Sequence, residues 1–159
     1  MKQETEKIRW EVSSFDGLDA YSIYKILQLR TQTFVVEQKG IYQDMDDKDF
    51  NAIHLQGFIG DRLIAYCRMF RAGDYFERAS IGRVIIALPY QGKSYGHQLM
   101  DKALEIMTKL LGESTVTISA QAHLQKFYEA HDFRKVSEQY MEEGIPHIRM
   151  ERQTPATEE

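Results

Sequence analysis

Arg83-Val-Ile-Ile-Ala-Leu-Pro-Tyr-Gln-Gly-Lys-Ser-Tyr-Gly-His97 reads as a strand, a turn and the start of a long helix. β-Branched residues predict a strand over Ala79–Ala87, and Gly92 and Gly96 mark the turn. Leu99, Met100, Ala103, Leu104, Met107, Leu110 and Leu111 then fall on one face of a helix predicted over Gln91–Leu111, with Gly112 placed to stop it. The first amides of a helix have no internal carbonyl partners, and the helix dipole adds partial positive charge there. A solvated helix start usually recruits Asp or Glu. Here no acid occurs between Ala87 and Met100, while Lys93 and His97 are present. Cations beside a positive helix end fit a ligand that brings its own negative charge, such as a phosphate held against small residues. The alternative is a plain loop with a solvated Lys93.

Upstream, Ile8–Val12 reads as a first strand, and Asp16 is placed to cap a helix over Leu18–Thr33. Phe34-Val-Val leads into a polar stretch from Gln38 to Asn51. Gly60-Asp61 between His54–Ile59 and Arg62–Phe70 predicts a tight antiparallel hairpin. Downstream come a strand containing Val116 and Ile118, a short helix over Leu124–Ala130, and strands near Phe133–Ser137 and Ile145–Met150. This order predicts an α/β (α+β) fold, a mixed sheet with helices on its faces. Residues 1–152 form one expected domain. The residues after Met150 lack apolar periodicity, so fraying is expected there, with 153–159 as a tail.

A chain of 159 residues, 43% hydrophobic and 28% charged, is long enough to bury a core. Its net charge of −4 and the lack of any basic stripe argue against nucleic-acid binding. The N-terminus lacks the apolar run of a signal peptide and no run approaches about 18 apolar residues, so a cytoplasmic protein without membrane spans is expected. Cys67 is the single cysteine, set in the alternation Leu63, Ala65, Cys67, Met69, and reads as a buried small residue, not a nucleophile or metal ligand. Asp44-Met-Asp-Asp-Lys-Asp49 lacks the glycine and the final glutamate of a calcium loop. It reads as a solvated loop that would attract a cationic amine if it bordered an acceptor site.

Gly92-Lys93-Ser94 invites a Walker A reading, but the first glycine of that motif would fall on Ala87 within the strand. The dinucleotide fingerprint is absent as well. What remains, Gln91-Gly-Lys-Ser-Tyr-Gly96, resembles the (Arg/Gln)-x-x-Gly-x-(Gly/Ala) motif of the GNAT superfamily of acetyltransferases, with Ser94 in the place of its central glycine. Gln121-Ala-His-Leu-Gln-Lys-Phe-Tyr-Glu-Ala-His-Asp-Phe133 resembles the family's later helix ending in Tyr-x-x-x-Gly-Phe: Tyr128 and Phe133 match, and Asp132 replaces the glycine. Phe34-Val-Val-Glu-Gln38, Tyr42-Gln-Asp44, Gln121–Gln125 and Gly144-Ile-Pro-His147 look like the ElaA-type subfamily.

The resemblance implies a mostly antiparallel sheet and an acetyl-CoA-dependent N-acetyltransferase that needs no metal. The pyrophosphate would sit on the turn formed by Gln91, Gly92, Lys93, Ser94, Tyr95 and Gly96. Val84, Ile85 and Ile86 would hydrogen-bond the pantetheine arm, and Gln121 and Gln125 would complete the cofactor side. Neighbouring strands splay apart there in the family, and the amide of Ile86 would serve the oxyanion.

Acetyl transfer to an amine makes three demands. The amine, with a pKa of about 10 in water, must lose a proton. The oxyanion needs a donor, and the leaving thiolate benefits from a proton. Tyr128 stands where the family presents a phenol to the sulfur. The central strand, Ser80-Ile-Gly-Arg-Val84, offers no carboxylate, so Glu37, Asp44, His54, His123 and His147 remain as candidate bases. His147 stands foremost, because Gly144-Ile-Pro precedes it in a late strand expected to face the acceptor. The acceptor would be a small-molecule amine or a peptide or protein amine, attacking the thioester directly. A non-catalytic acyl-CoA-binding or regulatory module is the alternative that the unassigned base leaves open. An exposed late strand could pair with a second copy to give a homodimer.

Overall fold

The computed structural model describes residues 6–154. In chain order the elements are β1 (Arg9–Ser14), α1 (Ala20–Arg30), β2 (Ile53–Ile59), β3 (Arg62–Phe70), β4 (Ala79–Ile86), α2 (Tyr95–Glu105), β5 (Thr115–Gln121), α3 (Gln125–Glu129), β6 (Arg134–Lys135), β7 (Tyr140–Glu142) and β8 (Ile145–Gln153). One sheet runs β1-β2-β3-β4-β5-β8-β6, with β7 also on β8. Every pairing is antiparallel except β4 with β5, which gives the mixed, mostly antiparallel sheet that the resemblance implied.

Side chains of successive strand residues point to opposite faces. Tyr66 and Ile85 accordingly meet Ile26 of α1 in one cluster, while Cys67, Met69, Val116 and Ile118 meet Leu99, Met100 and Ala103 of α2 in the main core. Cys67 is fully buried, as its alternation predicts, and burial pushes its thiol far above the ordinary range.

Several boundaries differ from the sequence reading. Asp19, not Asp16, caps α1, its Oδ1 accepting from Ser22 N–H at 2.7 Å; Phe15–Gly17 forms a 3₁₀ turn instead. The helix continues past Arg30 as π-type turns over Thr31–Glu37, so Phe34-Val-Val-Glu is helical. α2 starts at Tyr95, four residues after the predicted Gln91, because Pro89 sits in a preceding 3₁₀ turn, Leu88–Tyr90. Gly112 ends its extension with φ +68°.

The Gly60-Asp61 hairpin is as predicted, Ile59 pairing with Arg62. β7 was not expected. It joins β8 through Glu143 and Gly144, both at positive φ. β8 also runs beyond Met150: Gln153 pairs with Thr115, and Thr154 N–H bonds Ser114 O at 2.8 Å. Expected fraying is thus absent over Glu151–Gln153, and 155–159 of the expected tail lie outside the described residues.

Candidate active site

The two parallel central strands pair only at Ala79–Val116 and Ser80–Thr117. Beyond that point β4 keeps to β3 and β5 keeps to β8. A cavity of about 360 Å³ opens between them, lined by Val84, Ile118, Ser119, Gln121, Tyr128 and His147 among others. The splay implied by the resemblance is therefore present.

A bulge marks the β4 side of this opening. Tyr66 pairs with Ile85 and Arg68 with Gly82, so Cys67 faces two residues, Arg83 and Val84. Arg83 is left-handed at φ +50°. The alternation reverses across it: Ile81 enters the main core, Ile85 faces α1, and Val84 and Ile86 pack on the main core. Ala87 N–H donates to Ile64 O at 2.8 Å. In an antiparallel ladder the backbone groups of alternate residues point to opposite edges, so Ile85 shares Ala87's orientation toward β3, and Val84 and Ile86 turn theirs to the open edge. Of the three predicted pantetheine residues, Ile85 therefore has its amide directed to β3.

At the start of α2 the first helical bond is Gln98 N–H to Ser94 O, so the preceding amides have no carbonyl within the helix. No side chain caps this end and no acid lies in its first turn. Gln91 Nε2 donates to Ile86 O at 2.9 Å, tying the turn to the end of β4. A Cβ on Gly96 would stand 3.3 Å from the Phe127 ring, so the small residue lets α2 sit close to α3. Tyr95 is buried with its hydroxyl accepting from Glu6 N–H, which leaves only its backbone for a ligand.

Ser94 is left-handed at φ +68°, which gives the family's glycine at this place a physical reason. Since its side chain caps nothing, Ser94→Gly should raise the melting temperature by about 2–4 °C by relieving roughly 1 kcal/mol of backbone strain. Differential scanning calorimetry checks this.

Tyr128 is 6% exposed, edge-on to Phe127 and Phe133, and it lines the cavity. Burial, helped slightly by Cys67, pushes its phenol well above the ordinary tyrosine range, so it stays protonated. His147 lies opposite Gln121 in the β5–β8 ladder. Its Nδ1 is 2.7 Å from Ile145 O, an acceptor only, so Nδ1 carries a hydrogen. Nε2 is 3.2 Å from Glu142 Oε2. Glu142 Oε1 accepts from Ser119 Oγ at 3.1 Å, and Ser119 Oγ is 2.5 Å from Tyr140 OH.

The sequence reading missed Glu142, Ser119 and Tyr140. Two of the three come from β7, a strand too short to show a pattern.

The other candidate bases lie elsewhere. Glu37 is engaged with Gln32. His54 has Nδ1 2.7 Å from Tyr66 OH and Nε2 2.9 Å from Asp49 O, both within a buried layer. His123 is exposed in the turn before α3. Gln125 opens α3 outside the cavity lining, whereas Gln121 lines the cavity and donates to Gln38 Oε1 at 3.2 Å.

The acidic run corrects the sequence reading most. Asp44, Asp46 and Asp49 are not a solvated patch. Arg30 donates to Asp44 and Asp49, Arg68 to Asp46 and Asp49, and Arg83 to Asp44, at 2.6–3.0 Å. Asp44 is 7% exposed and Arg30 0%. The run is neutralised internally and is not a lure for a cationic substrate. Among the described residues, no group of three His, Cys, Asp or Glu could hold a metal ion, and no helix is long and apolar enough to cross a membrane.

The family defined as the acetyltransferase (GNAT) domain matches residues 18–154. Protein ElaA of Escherichia coli is 42% identical over 148 residues, spanning 92% of this chain and 97% of that protein. The crystal structure of Escherichia coli ElaA superposes with a TM-score of 0.86 at 41% identity, covering 92% of this chain and all of that one. An acyl-CoA N-acyltransferase from Pseudomonas aeruginosa gives 0.87 at 38% identity, over 92% and 99% of the two chains. Sequence and fold agree that this chain belongs to the GNAT family of acetyltransferases.

Proposed function

We propose that this chain moves an acetyl group from acetyl-CoA to an amine, free or on a peptide or protein, by direct attack on the thioester. The observation that carries the reading is the uncapped, acid-free start of α2, set beside strands that part around a buried, protonated tyrosine. Phosphate oxygens take the amides of Gly92 through Gly96, with Lys93 adding charge. The open-edge amides of Val84 and Ile86 serve the pantetheine and the oxyanion. Tyr128 gives a proton to the departing sulfur.

His147 and Glu142 form the acceptor end. With Nδ1 committed to Ile145 O and Nε2 facing Glu142 Oε2 at 3.2 Å, His147 holds the carboxylate in place, and Glu142 is the acceptor offered to an incoming ammonium. One of its protons passes to Glu142 before the nitrogen attacks, and the second, lost as the intermediate collapses, replaces the one that Tyr128 gives to sulfur.

Calorimetric titration with acetyl-CoA tests the first half, and absence of binding at millimolar ligand would end the proposal. Thiol release measured against simple alkylamines, amino acids and peptides tests the second. Binding without turnover on any amine would leave an acyl-CoA-binding module.

A further inference from the structure

We infer that Asp44 is a positioning residue whose clamp on Arg83 holds the β4 bulge, and through it the open-edge amides of Val84 and Ile86. The inference rests on the acyl-transfer reading above for what those amides do.

A non-glycine residue in the left-handed region persists only where its surroundings over-determine it. Arg83 is such a residue inside a strand, at the point where the alternation of β4 reverses. Its Nε donates to Asp44 Oδ1 at 2.7 Å and its Nη2 to the Asp44 carbonyl at 3.1 Å. Asp44 is fixed in turn: its Oδ2 accepts from Arg30 Nε at 2.7 Å and its carbonyl from Arg30 Nη2 at 3.2 Å. Arg30 ends α1 and is fully buried. One carboxylate thus ties the bulge to a helix on the α1 face of the sheet.

Without this tie Arg83 keeps only a longer contact to Asp46 Oδ2, 3.6 Å, which fixes no Nε hydrogen bond, and the residue relaxes to extended backbone. The extra residue then has nothing to hold it opposite Cys67. A one-residue slip turns every later side chain and amide of the strand to its other side, so Val84 and Ile86 lose their orientation to the cavity. Asp44 need touch no substrate to govern the reaction.

Glycine and alanine at position 83 separate this from a merely structural ion pair, because glycine takes φ +50° without strain and alanine does not. Arg83→Ala should show a kcat roughly tenfold below Arg83→Gly, in line with the left-handed penalty of an L-residue. Asp44→Asn should likewise lower kcat about tenfold when Arg83 is present, the same left-handed penalty left unopposed, and less than about threefold when combined with Arg83→Gly. The dissociation constant for CoA should rise less than kcat falls, because the turn before α2 is untouched and only the pantetheine loses an amide partner.

Equal kcat for Arg83→Ala and Arg83→Gly would overturn the inference, as would an Asp44→Asn loss that is the same with and without Arg83→Gly. If Asp44→Asn does not fold, the alanine–glycine comparison decides alone. If the wild type binds CoA yet releases no thiol with any amine, the catalytic reading fails separately. The amide chemical shifts of Val84 and Ile86 then decide the clamp: native in Arg83→Gly and displaced in Arg83→Ala, or unchanged in both, which would defeat it.

Discussion

Arg30→Met is expected to cost about 3–5 kcal/mol of folding stability, because it strips one partner from a buried ion network. Arg30, Arg68 and Arg83 balance Asp44, Asp46 and Asp49, so the network is neutral as it stands. Methionine fills much of the volume but leaves one negative charge without a counterpart, beside a carboxylate that is only 7% exposed. Natural domains have about 5–15 kcal/mol in hand, so the loss is a large share of the total. The penalty should shrink from pH 7 to pH 5, since the unbalanced carboxylates of the variant can take up a proton. Adding Asp49→Asn should recover part of the loss at pH 7. Urea unfolding at both pH values checks this, and a loss below about 1 kcal/mol would show that the network is not a cooperative buried unit.

The intact network sets the acid limit of the protein. Burial pushes the Asp46 and Asp49 carboxyls up, yet the arginine hydrogen bonds and charges outweigh it and hold both below the usual carboxylate range. A depressed folded pKa gives stability that is fully present above the unfolded value, about 3.9, and is lost as the pH falls through the depressed values. The urea midpoint should therefore fall below about pH 4. Asp46→Asn should flatten that fall.

None of these pairings is visible along the chain, because Arg30, Arg68 and Arg83 lie 14 to 39 residues from their aspartates. Local reading sees four acids in six positions and no reason to bury them. The same limit explains Glu142, whose role depends on a three-residue strand joined to β8 through Glu143-Gly144, a weaker turn signal than Asn-Gly. Features fixed by local chemistry were legible. Gly60-Asp61 specifies its hairpin with one positive φ, and the acid-free approach to α2 marks its start to within about one turn. Ser94 shows how far a motif reaches: the position demands left-handed backbone, which a one-letter comparison registers only as a missing glycine.

Tyr128→Phe should lower kcat by about 10- to 100-fold, at the lower end of what a positioned acid contributes, while the dissociation constant for CoA stays within about threefold. The substitution removes one oxygen from a side chain held by Phe127 and Phe133 at ring distances of 5.1 and 5.9 Å, so the phenyl ring keeps its place. The melting temperature should therefore change little. A loss of rate without loss of binding or stability then belongs to the proton that the phenol supplies. Its raised pKa fixes the sign of the pH dependence: an acid is active while protonated, so the Tyr128 limb of the wild-type profile should lie above pH 10, beyond an ordinary tyrosine. Below that limit the ratio of wild-type to variant kcat should be flat with pH. An unchanged kcat would remove Tyr128 from the reaction. A ratio that collapsed between about pH 7 and 9 would mean that the phenol ionises in that range and that Tyr128 does not remain the protonated donor the reaction requires.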